Sequence, residues 1–129
     1  MNIGFLSAVQ LSQYLTGSTK WRKPRRFILV EDLVYVRPCG IRYTVPAGFL
    51  TDGPSFIPMR QPWLRAAVLH DYLYTRRDLM DRKDADIIFK EAMKWSGTKA
   101  ILYYIIYLGV RIGGHRRYRQ YKNEQQKGI

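Results

Sequence analysis

The chain has 129 residues, enough for one domain with one core and too few for a second core of useful size. A hydrophobic fraction of 47% excludes wholesale disorder. Lys and Arg number 22 against 10 Asp and Glu, a formal net charge of +12, which directs any surface contact toward nucleic acid, anionic lipid headgroups or acidic proteins and away from basic partners.

The charge is unevenly spread. Lys20, Arg22, Lys23, Arg25 and Arg26 fall within seven residues, and Arg111, Arg116, Arg117, Arg119 and Lys122 crowd the C-terminal end. The first five, with Arg116, Arg117 and Arg119, form the candidate surface-binding set; the plainer reading is two solvated basic ends. Cys39 is the single cysteine, so no intrachain disulfide can form, which suits a protein made in the cytosol. The N-terminus lacks the early basic region of a secretory signal. The most apolar run, Ile101 to Val110, has ten residues, about half the ~20 needed to span a bilayer, and reads as packed core.

In chain order, Asn2 to Leu15 reads as a weak helix or an arm, and Thr16-Gly17-Ser18-Thr19 as a loop. Phe27 to Val36 is rich in β-formers and broken by Glu31-Asp32, which predicts two short strands. Ile41 to Val45 is a third, after a turn at Pro38-Cys39-Gly40. Pro46-Ala47-Gly48 is another turn, and Phe49-Leu50 a short extended piece. Together they predict a small antiparallel sheet or meander. Thr51 to Pro62 reads as loop. A helix opens at Trp63 or Leu64 and runs to about Arg77, with Pro62 just ahead of it. A second runs from about Asp84 to Trp95, with Ala85, Ile88, Phe89 and Ala92 on one face and Ser96-Gly97-Thr98 closing it. A third runs from about Lys99 to Ile112, ended by Gly113-Gly114, and a polar basic tail follows. Strands followed by helices define one α+β domain.

Chemistry concentrates in the first two helices. His70 and Tyr74 are four apart and share a face with Ala66 and Ala67, whose small side chains admit a close neighbour. A short connection makes the second helix that neighbour, antiparallel to the first. Asp86, at the edge of its apolar stripe, needs a hydrogen-bond partner if buried. A bond from one ring nitrogen of His70 would fix the tautomer and leave the other nitrogen as a general base, with Tyr74 donating to Asp86 from the same face. Asp71 is turned about 100° from His70, toward the loop that begins Thr51-Asp52-Gly53. Oxygen ligands such as Asp71 and Asp52 suit calcium, or less well magnesium; one Cys and two His give no expectation of zinc. From residue types alone, catalysis, structural polar pairing and ligand binding all stand.

Two resemblances enter here. The run Val45 to Ser55, the segment Ala66 to Tyr74, Ala85-Asp86-Ile87-Ile88-Phe89 and the Val110-Arg111 and Gly113 ending resemble the domain of unknown function 1353 of tailed phages and prophages. That implies a phage origin and no established activity. More narrowly, His70-Asp71-x-x-Tyr74, with Ala66-Ala67 before it and Ala85-Asp86-x-x-Phe89 after it, is similar to phospholipase A(2), especially the disulfide-free parvovirus form. That resemblance implies His70 as general base, Asp71 as calcium ligand, Asp86 orienting His70 and Tyr74 supporting Asp86, in a calcium-dependent ester hydrolase. The sequence departs from it in the calcium loop, where Asp52-Gly53-Pro54-Ser55 is far less glycine-rich, and in the short connection between the helices.

The expected function is a small basic phage protein, an accessory or virion component of tail, baseplate or neck, with a metal-assisted His/Asp hydrolase centre. A purely structural assembly protein is the first alternative. A nucleic-acid-binding protein, stacking bases on Trp21, Tyr118 and Tyr121, is the second. Expected partners are other virion proteins or an anionic membrane surface, and the expected location is the host cytoplasm during synthesis and then the virion.

Overall fold

The computed structural model describes residues 3–6, 11–14, 26–51 and 63–127; for 11–14, 26 and 115–127 it describes the backbone alone. Among the described residues six short strands precede three helices: β1 (Gly4–Phe5), β2 (Leu11–Tyr14), β3 (Arg26–Leu29), β4 (Leu33–Val36), β5 (Arg42–Val45), β6 (Leu50–Thr51), α1 (Trp63–Thr75), α2 (Arg82–Trp95) and α3 (Ala100–Lys127). The α+β class follows directly.

The strands form two three-stranded antiparallel sheets, ordered β1-β4-β5 and β2-β3-β6. The break at Glu31-Asp32 does separate two strands, yet β3 and β4 lie in different sheets. The chain turns a corner there, held by the Ala47 N–H donating to Asp32 Oδ1 at 2.7 Å. The Pro46-Ala47-Gly48 turn recrosses the same corner and delivers β6 to β3, in register Phe27 with Thr51 and Ile28 with Leu50. The N-terminal segment is neither helix nor loose arm where it is described. Gly4 and Phe5 pair with Val36 and Tyr35, and Leu11 to Tyr14 pair with Leu29 to Arg26. Pairing with strands already fixed by the core overrides a weak local helical pattern.

Leu29, Leu33, Tyr35 and Val45 from the strands meet Ala66, Val68, Leu69 and Leu73 of α1, Ala85, Ile88, Ala92 and Met93 of α2, and Ile106 and Val110 of α3 in one buried cluster. Asp81 caps α2, its side chain accepting from the Asp84 N–H at 2.9 Å. At the other end Gly97, at φ +89°, takes the left-handed turn that lets Gly97 and Thr98 N–H groups reach the carbonyls of Lys94 and Met93. Tyr35 and Arg37 fasten β4 to α2, donating to Glu91 at 2.7 Å from the phenol and at 3.2 and 3.1 Å from the guanidinium.

Two expectations for the third helix are corrected. Gly113-Gly114 does not end it, because α3 continues to Lys127 and the segment read as a tail is helical. The apolar run Ile101 to Val110 is core on one side only: Ile106 and Val110 are buried, while Ile101, Tyr104, Ile105 and Leu108 face outward. Among the described residues no helix is long and apolar enough to cross a membrane.

Leu69→Ala, at a fully buried position of α1, is expected to cost about 2–5 kcal/mol in urea denaturation. Ile101→Ala, on the outer face of α3, is expected to change stability by no more than about 0.5 kcal/mol.

Candidate functional site

Asp86 sits on the inner face of α2, one turn before Lys90, with no exposed surface. A carboxylate there must find all its hydrogen bonds inside the protein. Two come from α1. His70 Nε2 lies 2.7 Å from Oδ1, and the Tyr74 hydroxyl donates to the same oxygen. The four-residue spacing of His70 and Tyr74 puts both donors one helical turn apart on the face that meets α2. The buried Ala66 and Ala67 continue that face and let the two helices close up.

The other carboxylate oxygen belongs to α3. Arg111 Nη1 donates to Oδ2 at 2.8 Å, and Arg82, one turn before Asp86 on α2, brings its Nε to 4.0 Å of that oxygen. Arg82 then reaches past Asp86, and its Nη2 donates to the Val110 and Arg111 carbonyls at 2.9 and 2.6 Å. It therefore anchors the backbone of the segment that carries Arg111.

Desolvation by burial pushes the Asp86 carboxyl upward and is the largest single influence on it. The hydrogen bonds from His70, Tyr74 and Arg111 act together in the opposite direction and prevail, holding it below the usual carboxylate range. Asp86 is thus ionised near neutrality. Burial, reinforced by the bond to Asp86, raises the Tyr74 phenol well above its ordinary range, so Tyr74 remains a donor. Facing an ionised acceptor, a neutral His70 carries its proton on Nε2 and its lone pair on Nδ1. Nδ1 has no hydrogen-bond partner among the described residues. The ring is held between Phe89, stacked at 4.4 Å and 22°, and Tyr74, tilted at 4.1 Å and 53°.

Asp71, next in sequence, points away from this cluster. It is buried, and the Thr51 hydroxyl at the end of β6 donates to its Oδ2 at 2.5 Å. Asp71 therefore stands where the chain leaves β6 for the segment that begins at Asp52. Asp52 itself, with Lys20, Arg22, Lys23 and Arg25, lies outside the described residues, and the side chains of Arg26, Arg116, Arg117 and Arg119 do as well. Among the described residues no group of three or more His, Cys, Asp or Glu side chains is placed to hold a metal. The Asp71 carboxylate and the Thr51 hydroxyl beside it are oxygen groups, the type a hard cation takes, whereas Cys39 is exposed on the turn between β4 and β5.

Sequence reasoning placed His70, Tyr74 and Asp86 together but gave Arg111 no part in the site, reading it as one of a basic end and of the family-like Val110-Arg111 ending. It also missed Arg82, Thr51, the Phe89 stack and the meaning of Gly114. A side-chain carbon on Gly114 would lie 2.7 Å from the Tyr74 hydroxyl and 3.4 Å from Arg82 Nη2, whereas one on Gly113 would meet nothing within 4 Å. The glycine pair is where α3 passes closely over the polar cluster, and a mid-helix glycine with no capping role is the signal that could have been read.

The fold and the cluster define an α+β domain whose three helices share one buried carboxylate and hold a histidine against it. Residues 27–110 match the family described as "Protein of unknown function (DUF1353)", and the chain belongs to that family. The match runs from β3 into α3 and takes in His70, Asp71, Tyr74 and Asp86, ending one residue before Arg111. No curated protein and no solved structure matches the chain.

Gly113→Ala is expected to raise stability by about 0.5–1 kcal/mol, the usual gain for alanine in a helix interior. Gly114→Ala is expected to lower it by about 1–3 kcal/mol through overpacking; paired thermal melts read the opposite signs. Because the folded Asp86 carboxyl lies below its unfolded value of 3.8, its contribution is complete above that pH. It fades as pH falls toward the folded value. Urea midpoints measured from neutral to strongly acidic pH should show this acid loss in the wild type, and a shallower one in Asp86→Asn.

Proposed function

We propose that the protein is an ester hydrolase in which His70 is the general base and Asp86 its orienting partner. The observation that carries this reading is the His70 Nε2–Asp86 bond of 2.7 Å, made to an ionised, fully buried carboxylate that leaves the Nδ1 lone pair uncommitted. Tyr74 and Phe89 support it by fixing the carboxylate and the ring. In the reaction, Nδ1 removes a proton from water as its oxygen attacks the ester carbonyl carbon. The tetrahedral oxyanion then collapses with cleavage of the bond to the alcohol oxygen, and the imidazolium returns its proton to that leaving group. The pattern His70-Asp71-x-x-Tyr74 with Asp86 supports a lipid ester as substrate, by its likeness to phospholipase A(2). Asp71, with oxygens from the segment starting at Asp52, would hold a calcium ion, and a cation so held supplies charge stabilisation for the oxyanion. The resemblance to tailed-phage sequences supports an accessory or virion protein as the setting.

A second reading has its own observation in favour. Asp86 takes bonds from α1 and α3 while seated on α2, which is what a structural lock between three helices requires. On that reading the protein is an assembly component without turnover. His70→Gln separates the two, because a glutamine amide can still donate to Asp86 but offers no base. Hydrolysis of a fluorogenic phospholipid in calcium is expected to fall by about 10²–10⁴-fold in His70→Gln with the thermal melt retained, and to fall in wild type when calcium is chelated. A wild type without turnover, or a variant as active as wild type, leaves the structural lock.

A further inference from the structure

The outer face of α3 carries a line of aliphatic side chains that the core does not use. Ile101, Ile105, Leu108 and Ile112 follow one another at steps of four, three and four residues, so they share one face over about three helical turns. They are between 56% and 77% exposed, highest at the two ends of the line. Lone exposed apolar residues are ordinary, but a contiguous line of four is a contact surface.

Beside this ridge lies a groove of about 410 Å³ between α2 and α3, lined among others by Lys90, Lys94, Trp95 and Tyr104. Lys90 Nζ stands over the rings of Tyr104 and Tyr107, at 5.2 and 4.8 Å from their centres. Glu91 also lines the groove, with its carboxylate already taken by Tyr35 and Arg37. The order from crest to flank is therefore aliphatic, then half-exposed aromatic, then ammonium. That sequence matches the polarity gradient of a bilayer surface, where hydrocarbon lies deepest, aromatic rings sit at the headgroup level and lysines reach the phosphates.

Charge selects the occupant. Between Ala100 and Asn123 there is no acidic residue, while Lys99 precedes the ridge and Lys90 and Lys94 flank it. A second copy would bring another chain of formal charge +12 against this one, with no acidic residue between Ala100 and Asn123 of the facing helix. An anionic lipid surface supplies both the apolar medium and the opposite charge.

We infer that the α2/α3 face, with Ile101, Ile105, Leu108 and Ile112 as its inserting ridge and Lys90, Lys94 and Trp95 at its flank, docks the protein on an anionic lipid bilayer. The inference does not rest on hydrolysis, since docking is read without turnover. The test is co-sedimentation of the full chain with vesicles rich in phosphatidylglycerol and with pure phosphatidylcholine. The wild type is expected to bind the anionic vesicles strongly and the zwitterionic ones weakly. Ile105→Ser/Leu108→Ser is expected to lose about tenfold or more in partitioning, from the apolar area no longer inserted. Lys94→Gln/Lys99→Gln, at two exposed positions, is expected to bind more weakly and with less dependence on salt. Should the double serine variant change its far-UV spectrum, Ile112→Ser alone takes its place. No binding of the wild type to anionic vesicles overturns the inference, and so does binding that both sets of variants leave unchanged. A wild-type dimer that the ridge variants convert to monomer also overturns it and gives the ridge to a second copy.

Discussion

A carboxylate without solvent is the constraint on which the helical half is built. Moving a charge of that size out of water costs several kcal/mol unless its lone pairs are filled. At Asp86 they are filled from two other helices. His70 and Tyr74 set the register of α1 against α2, because both must reach one oxygen. Arg111 sets the height of α3, because it must reach the other. Hydrophobic burial alone would tolerate sliding of three helices whose contacts are largely aliphatic; the polar bonds allow a single alignment. The same bonds keep Asp86 charged, and a charged Asp86 decides which nitrogen of His70 carries the proton. Packing and chemistry here are consequences of one buried group.

Much of this was legible in the sequence because it is local. The four-residue interval from His70 to Tyr74, the apolar stripe around Asp86 and the short link between their helices are enough to bring the three together. Gly97 and the punctuation at Pro38, Pro46 and Gly48 place the ends of α2, β4 and β5. What was not legible depends on partners far along the chain. The division into two sheets turns on Asp32 meeting Ala47, and the N-terminal strands exist because β4 and β3 offer them edges. Arg111 looked like one basic residue among several, since its partner lies 25 residues earlier. Gly113-Gly114 looked like a stop because glycine at a helix end and glycine under a crossing side chain are the same letter. The run Ile101 to Val110 looked like core because hydropathy does not say which side of a helix is covered.

α3 consequently does three different things along its length. Its inner face closes the core through Ile106 and Val110. Arg111 completes the coordination of Asp86. Its outer face stays apolar where a helix serving the core alone would be polar. Gly114 permits the crossing by keeping the helix close to Tyr74 without a side chain between them.

The first strand has a bearing on synthesis. Phe5 lies 4.9 Å from the ring of Tyr35, the Arg65 guanidinium stands 5.0 Å from the Phe5 ring, and Gly4 lies against Trp95. The covers of β1 are therefore made long after β1 itself, the last of them some ninety residues later. At about 5–20 residues per second, roughly 3–12 seconds pass between synthesis of Phe5 and that of Arg65, and roughly 5–18 seconds before Trp95, which lies against Gly4, is polymerised. β1 is early in the order of translation and late in the order of assembly. Whatever guards the ribosome exit in the producing cell meets that strand before the helices do.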